Sequence, residues 1–274
     1  VPELPEVETI AGDLRAHLVG RTIATCEVRM PSIVRHPDSA LFAAALPGRR
    51  IEALARRGKY LFHDLDDGEL LVVHLGMTGQ WRLVDAVTPE PDHLHAVIGL
   101  DDGRQLRYRD PRRFGRLLLG TETELLAARK LPRLGAEPLD PAFSAADLHR
   151  RLAGRRAPLK AVLLDQKVVA GVGNIYADEA CFRARVRPDR PAWRLSRRSA
   201  GRLHVALRDL LREAIANRGS SVSDYRDAWG QLGGEQHMLQ VYGRGGQPCT
   251  RCGRPLASLR LAGRTTVFCR RCQR

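Results

Sequence analysis

The sequence predicts an α+β protein, with strands gathered in its first half and helices in its second. Three observations carry that prediction. An amphipathic segment opens the chain, eight short strand-like stretches with Asp-Gly turns follow it, and from residue 121 the apolar period becomes helical.

The first helix is expected from about residue 3 to residue 18. Pro2 and Pro5 suit a helix start, Glu3, Glu6 and Glu8 favour the positive end of its dipole, and Gly20 follows its end. Val7, Ile10, Leu14 and Leu18 supply a stripe to bury. Strands are expected at 22–29, 50–56, 59–65, 69–75, 80–84, 95–101, 104–109 and 114–119, with hairpin turns at Asp67-Gly68 and Asp102-Gly103. Strands this short and numerous build an antiparallel sandwich or barrel. Helices are expected at 121–129, 144–153, 158–166, 174–183 and 196–217, with Ser144, Asn174 and Ser196 as caps and Gly219 as a stop. Pro132, Pro138 and Pro141 mark a boundary, which divides the chain into 1–132, 133–242 and a tail, 243–274, too short to bury its own core.

Charge follows the same division. The chain carries a net +14, but residues 1–132 hold 18 basic and 19 acidic side chains, whereas residues 133–274 hold 27 and 12. A near-neutral first half and a strongly basic second half point to a polyanionic partner for the second. With 43% hydrophobic residues a folded core is expected, and no apolar run approaches the roughly 18–20 residues of a membrane span. No basic-then-apolar leader opens the chain, so a soluble cytoplasmic protein without a membrane partner is expected, with a monomer as the default. Only four of the 45 basic residues are lysine: Lys59, Lys130, Lys160 and Lys167. In an arginine-rich background, a lysine suggests a site that wants a compact ammonium.

Cys249, Cys252, Cys269 and Cys272 form C-x2-C-x16-C-x2-C. Two such turns supply the four thiolates of a tetrahedral zinc shell, which leaves no open position, so one structural Zn2+ is expected. Arg251, Arg254, Arg260, Arg264, Arg270 and Arg271 accompany these cysteines and suit a phosphate or groove reader. At the other end, residues 2–8 read PELPEVE. This is a good helix start. A free terminal proline is also a secondary amine able to attack an electrophilic carbon, with Glu3 beside it to move protons.

PELPEVE at 2–8, RRGKY at 56–60, HLGMTG at 74–79, DPRRFG at 110–115, GVGNIYADE at 171–179, VYGR at 241–244 and the paired CxxC motifs run from one end of the chain to the other. Together they resemble the formamidopyrimidine-DNA glycosylases, zinc-containing bacterial enzymes that remove 8-oxoguanine and ring-opened purines. The resemblance implies an amino-terminal helix on a β-sandwich, then a helix–two-turns–helix domain and a zinc-finger hairpin. Its partner would be duplex DNA carrying oxidised bases or abasic sites, in the bacterial cytoplasm at the nucleoid. PELPE and the RRF at 112–114 favour this branch over the sister enzymes for oxidised pyrimidines. A non-catalytic damage-binding relative is the rival of another class.

The resemblance also implies roles. Pro2 would attack the sugar carbon that bears the flipped base, with Glu3 as proton shuttle and Glu6, counted among the DNA-binding residues, as a support near the site or the helix start. Met77, Arg112 and Phe114 would fill the vacated duplex, with Arg112 facing the orphaned cytosine. Lys59, Asn174 and Arg264 would hold phosphate beside the lesion, and Lys160 would handle the oxidised purine. Two departures stand out. Val1 occupies the place of an initiator methionine, and its removal is expected, because a retained residue would make the proline nitrogen an amide. The loop GQLGGEQHM at 230–238 carries Glu235 near where the family often has an aromatic.

Overall fold

The computed structural model describes residues 2–274. Val1 lies outside them. The chain forms two compact units, Val1–Arg133 with Asn217–Gly234, and Leu134–Ala216 with Glu235–Arg274. The second unit is thus not the continuous 133–242 of the sequence reading, because Asn217–Gly234 returns to the first. Polar contacts hold it there. The Arg218 guanidinium bridges Asp13 at 2.6 Å and Asp227 at 2.5 Å.

In the first unit, helix α1 (Leu4–Leu18) buries Leu4, Val7, Ile10, Ala11, Leu14 and Leu18 completely, the stripe expected from its spacing. Two sheets form the sandwich. One orders β1 (Ile23–Val28), β7 (Leu94–Leu100), β8 (Arg104–Arg109) and β6 (Gln80–Asp85), all antiparallel. The other orders β2 (Val34–His36), β9 (Arg116–Gly120), β5 (Leu70–His74), β4 (Tyr60–Leu65) and β3 (Ile51–Arg57). Its β2–β9 pair is parallel, an exception to the expected antiparallel pattern. Gly68 (φ +84°) and Gly103 (φ +83°) occupy the two anticipated hairpin turns, where a side chain would be strained.

The core joins α1 to the inner sheet faces around Trp81, Tyr108 and Phe42. Trp81 Nε1 donates to His63 Nε2 at 3.2 Å, so the other ring nitrogen, His63 Nδ1, donates to the Leu71 carbonyl at 3.0 Å. Helix α2 (Ser39–Ala45) was not expected. It is rich in alanine and buries only Phe42, so it has no periodic stripe, and Asp38 Oδ1 starts it by accepting from the Ala40 and Leu41 N–H groups. A short α3 (Glu122–Ala127) closes the region.

The second unit packs α7 (Arg197–Ala216) on α4 (Ala145–Leu152) and α6 (Asn174–Arg183), with α5 (Leu159–Leu164) against α6. Ser144 and Asp147 form a reciprocal cap on α4, and the Ser196 hydroxyl accepts from the Ser199 N–H at 3.2 Å, as their positions suggested. Gly173, not Asn174, is the cap residue of α6, and Asn174 is its first helical residue. Strands β10 (Ala257–Leu261) and β11 (Arg264–Phe268) pair antiparallel as the hairpin of the cysteine-rich tail. Among the described residues no helix is long and apolar enough to cross a membrane.

Candidate active site and metal centre

Pro2 is buried at the entry to α1, and Glu3 and Glu6 are 2% and 1% exposed. Two buried carboxylates in one turn need partners, and Glu6 has them on both oxygens. Oε2 accepts from the Glu3 N–H at 2.8 Å, the reach-back half of a capping box, and Oε1 accepts from the Ser220 N–H at 2.7 Å. Gly219 makes this approach possible. It has φ +77°, and a Cβ there would sit 2.9 Å from Glu6 Cγ. Glu6 therefore clamps the Pro2-Glu3 terminus to the returning segment, and its oxygens are committed to backbone rather than to DNA. The Ser220 hydroxyl beside it is buried without a hydrogen-bond partner among the described residues.

Lys59 follows Gly58 (φ +59°) in the two-residue turn between β3 and β4, whose last pair is Arg57 and Tyr60. Arg56 fixes that turn to α1. Its Nε donates to Glu8 Oε2 at 2.7 Å and its Nη1 to the Gly58 carbonyl at 3.1 Å. Burial, reinforced by the positive charges of Arg116 and Lys59, pushes the His74 imidazole down to about 3, so it stays neutral here.

The HLGMTG and DPRRFG segments meet backbone to backbone. A Cβ on Gly76 would lie 2.4 Å from the Gly115 nitrogen, so only glycine fits. Asp110, fully buried, latches the two together: Oδ1 accepts from the Thr78 hydroxyl at 2.5 Å and Oδ2 from the Gly115 N–H at 2.8 Å. Thr78 Oγ1 accepts in turn from the Arg112 N–H at 3.2 Å. The latch presents Phe114, 53% exposed, with the Arg112 guanidinium 4.9 Å over its ring and Met77 half-buried on the facing loop. An exposed phenylalanine on so rigid a support suits a wedge.

In the second unit, Asn174 begins α6 with its side-chain oxygen buried and, among the described residues, without a hydrogen-bond partner. Gln166 sets the preceding loop, accepting from the Gly171 N–H and donating to the Val172 carbonyl, both at 2.8 Å. Glu179 Oε1 accepts from the Gln240, Val241 and Tyr242 N–H groups at 2.8–2.9 Å, which anchors VYGR to α6. Arg264 is exposed at the start of β11.

Lys160 departs from its expected place. It is fully buried, with Nζ 2.7 Å from Asp178 Oδ1 and donating to the Thr265 carbonyl at 2.9 Å. Asp178 Oδ2 accepts from the Val267 N–H at 3.1 Å. The pair ties α5 and α6 to β11, the strand that Arg264 opens, and a side chain so placed cannot itself touch a purine. Burial raises the Asp178 carboxyl to about 7, against the pull of Lys160.

The four cysteine sulfurs all lie within 4.8 Å of one another. Cys249 and Cys272 Sγ are 4.0 Å apart, and Cys252 and Cys269 Sγ 3.5 Å. A Zn–S bond of about 2.3 Å requires tetrahedral edges of about 3.8 Å, so the donor set fits one structural zinc. The Arg251 and Cys272 N–H groups each approach a cysteine sulfur at 3.4 Å and would support thiolate charge.

Asp110, Ser220, Gln166, Asp178 and Glu179 escaped the sequence reading. Asp178 and Glu179 stand in GVGNIYADE, where acids among apolar neighbours were the available signal, whereas Asp110, set between an arginine and a proline, gave none. Ser220 and Gln166 had none.

Residues 1–117 match the formamidopyrimidine-DNA glycosylase N-terminal domain, 134–226 the formamidopyrimidine-DNA glycosylase H2TH domain, and 246–274 the zinc finger found in FPG and IleRS. The formamidopyrimidine-DNA glycosylase of Desulfitobacterium hafniense (strain DSM 10664 / DCB-2) is 47% identical over 274 residues, all of both chains. That of Moorella thermoacetica is 50% identical over 260 residues, 95% of each. The crystal structure of the MutM (Fpg) protein of Thermus thermophilus superposes with a TM-score of 0.89 at 46% identity, covering 99% of this chain and 98% of that one. Lactococcus lactis Fpg bound to DNA with an abasic site gives 0.91 at 34% identity over 99% of each chain.

Proposed function

The chain belongs to the formamidopyrimidine-DNA glycosylase family, DNA glycosylases that repair oxidised bases, and from that premise we propose that it excises oxidised purines through a Schiff base on Pro2. The observation that carries the reading is the buried Pro2-Glu3 terminus, clamped by Glu6 to Gly219 and Ser220.

The substrate is duplex DNA with an 8-oxoguanine or formamidopyrimidine, and the nucleotide must first leave the stack, at a cost of a few kcal/mol. Phe114 and Met77 offset that cost by filling the gap with apolar surface, and Arg112 hydrogen-bonds the widowed cytosine. Once residue 1 is removed, the Pro2 nitrogen is a secondary amine. Its lone pair attacks C1′ as the C1′–N bond to the base breaks, and Glu3 moves the protons that open the sugar ring to an iminium. Loss of a C2′ proton expels the 3′ phosphate, and a second elimination expels the 5′ phosphate. Water then releases Pro2. Lys59, Asn174 and Arg264 hold the phosphates beside the lesion, and the zinc keeps the hairpin folded.

Lesion structures support the substrate class: Lactococcus lactis Fpg, 35% identical, has been solved with Fapy-dG-containing DNA. A second reading, oxidised pyrimidines, draws on the same protein's complex with DNA containing an oxidised pyrimidine. Cleavage of duplexes carrying 8-oxoguanine or an oxidised pyrimidine, opposite each base in turn, tests both. Preferential cleavage of 8-oxoguanine opposite cytosine, leaving phosphate on both sides of a gap, is expected. Faster cleavage at the pyrimidine would overturn the purine assignment.

A further inference from the structure

The elements that carry Asn174 and Arg264 each have a second end. Helix α6 runs about 15 Å from Asn174 to Arg183, and β11 runs about 17 Å from Arg264 towards Cys269. At those far ends lies a cavity of about 640 Å³ lined by Arg185, Arg202, Arg251, Arg271, Arg274 and the metal-site residues Cys252 and Cys272.

We propose that this arginine cavity is a second phosphate-binding site, which grips the DNA backbone away from the lesion contacts. The proposal rests on the DNA-repair reading given above.

Its chemistry is one-sided. Five arginines line the cavity and, among the described residues, no aspartate or glutamate does. Nearby arginines outside it are paired, Arg183 with Glu213 and Arg187 with Asp189. Two local demands account for part of the charge. The carboxyl end of α6 attracts cations, and Arg251 donates to the Phe182 carbonyl at 2.6 Å while Arg202 donates to the Ala184 carbonyl at 3.2 Å. A zinc ion with four thiolates leaves a net charge of about −2. Five cations exceed that, and each guanidinium carries five N–H donors, so donors remain for an external anion. The fold also holds the ring together. The Arg274 N–H donates to the Arg185 carbonyl at 3.1 Å, and Arg251 stacks 4.2 Å over Phe182. Arg185 stands at φ +59°, a conformation uncommon for a residue with a side chain. Phosphodiester oxygens are the ligand this arrangement suits, since guanidinium binds them bidentately.

An arm that spans about 15 Å needs at least roughly 4–5 base pairs at 3.4 Å per step. The test therefore compares duplexes centred on an abasic-site analogue, with arms of about 4 or about 12 base pairs. The double variant R185N/R274Q leaves the Arg251 and Arg202 contacts in place, and its zinc content reports that the hairpin is folded. Wild-type protein should bind the long-armed duplex more tightly, and the variant should lose that gain, about 10- to 100-fold at 0.1 M salt. Its slope of log K against log salt should fall by roughly 2. Borohydride trapping on a short-armed duplex with 8-oxoguanine should be unchanged, which separates failure of this site from failure of the DNA-repair reading. A variant that keeps the long-arm gain overturns the proposal. So does a variant that keeps the gain but loses wild-type binding of inorganic pyrophosphate, which would assign the cavity to free phosphates.

Discussion

Replacing Lys160 with methionine removes one half of a fully buried ion pair and keeps most of the side-chain volume. Asp178 then lies in the interior with only the Val267 N–H. Its carboxyl is already raised to about 7 by burial, even with Lys160 beside it. Without the ammonium it rises further, so at pH 7 the folded variant holds Asp178 protonated. Removing one partner of a buried pair typically costs about 3–5 kcal/mol. The sign follows from linkage. Below pH 7 the wild-type carboxyl is itself protonated, so the loss shrinks as pH falls, whereas above pH 7 only the variant must hold the proton, and the loss grows by up to about 1.36 kcal/mol per pH unit. Denaturant unfolding of the zinc-loaded protein, followed by zinc release, reads this directly. K160M should lose about 3–5 kcal/mol at pH 8 and less at pH 6, and K160M/D178N should recover most of the loss. A loss under 1 kcal/mol, or one independent of pH, would refute the reasoning.

Asp110→Ala should loosen the Met77 and Phe114 loops, costing about 2–3 kcal/mol for the stranded Thr78 and Gly115 donors. Thermal unfolding and cleavage assays should show lesion cleavage falling while binding of undamaged duplex is largely kept. Burial holds the His63 imidazole down at about 4. A histidine depressed in the folded state destabilises the fold as pH drops below its unfolded value near 6.5, by about 2 kcal/mol at pH 5, and His74 adds in the same direction. Imidazole proton shifts in the folded protein should show both rings neutral at pH 5.5; protonation there contradicts the account. Cys269→Ser should abolish stoichiometric zinc and unfold the hairpin, since metal binding supplies on the order of 10 kcal/mol in such modules. Retained zinc and undiminished DNA affinity would contradict it.

The sequence made some elements legible and hid others for physical reasons. Helix α1 and the Asp-Gly hairpins announce themselves because a stripe of large apolar residues and a positive-φ glycine are local signals. Helix α2 has one anchor among alanines, and β2 has only three residues. The return of Asn217–Gly234 to the first unit depends on Arg218 and Ser220 meeting partners some two hundred positions earlier, which no local window contains. The metal centre was readable because ligand spacing within each CxxC fixes its geometry. Lys160 was not, because a lysine in a helix looks the same whether it meets DNA or a buried aspartate. Glu6 is expected among the DNA-contacting residues, but both its oxygens meet backbone, and its partner at Ser220 does not appear until the chain is folded.

The central claim is that Pro2 is the nucleophile, and intact mass tests it most directly. The purified protein is incubated with an 8-oxoguanine:cytosine duplex, with and without borohydride, and the adduct is mapped by peptide digestion. The account predicts a chain beginning at Pro2 and a borohydride-dependent DNA adduct on its amino-terminal peptide, absent in Pro2→Gly. A chain beginning at Pro2 with no adduct, or an adduct mapping to another residue, would contradict it.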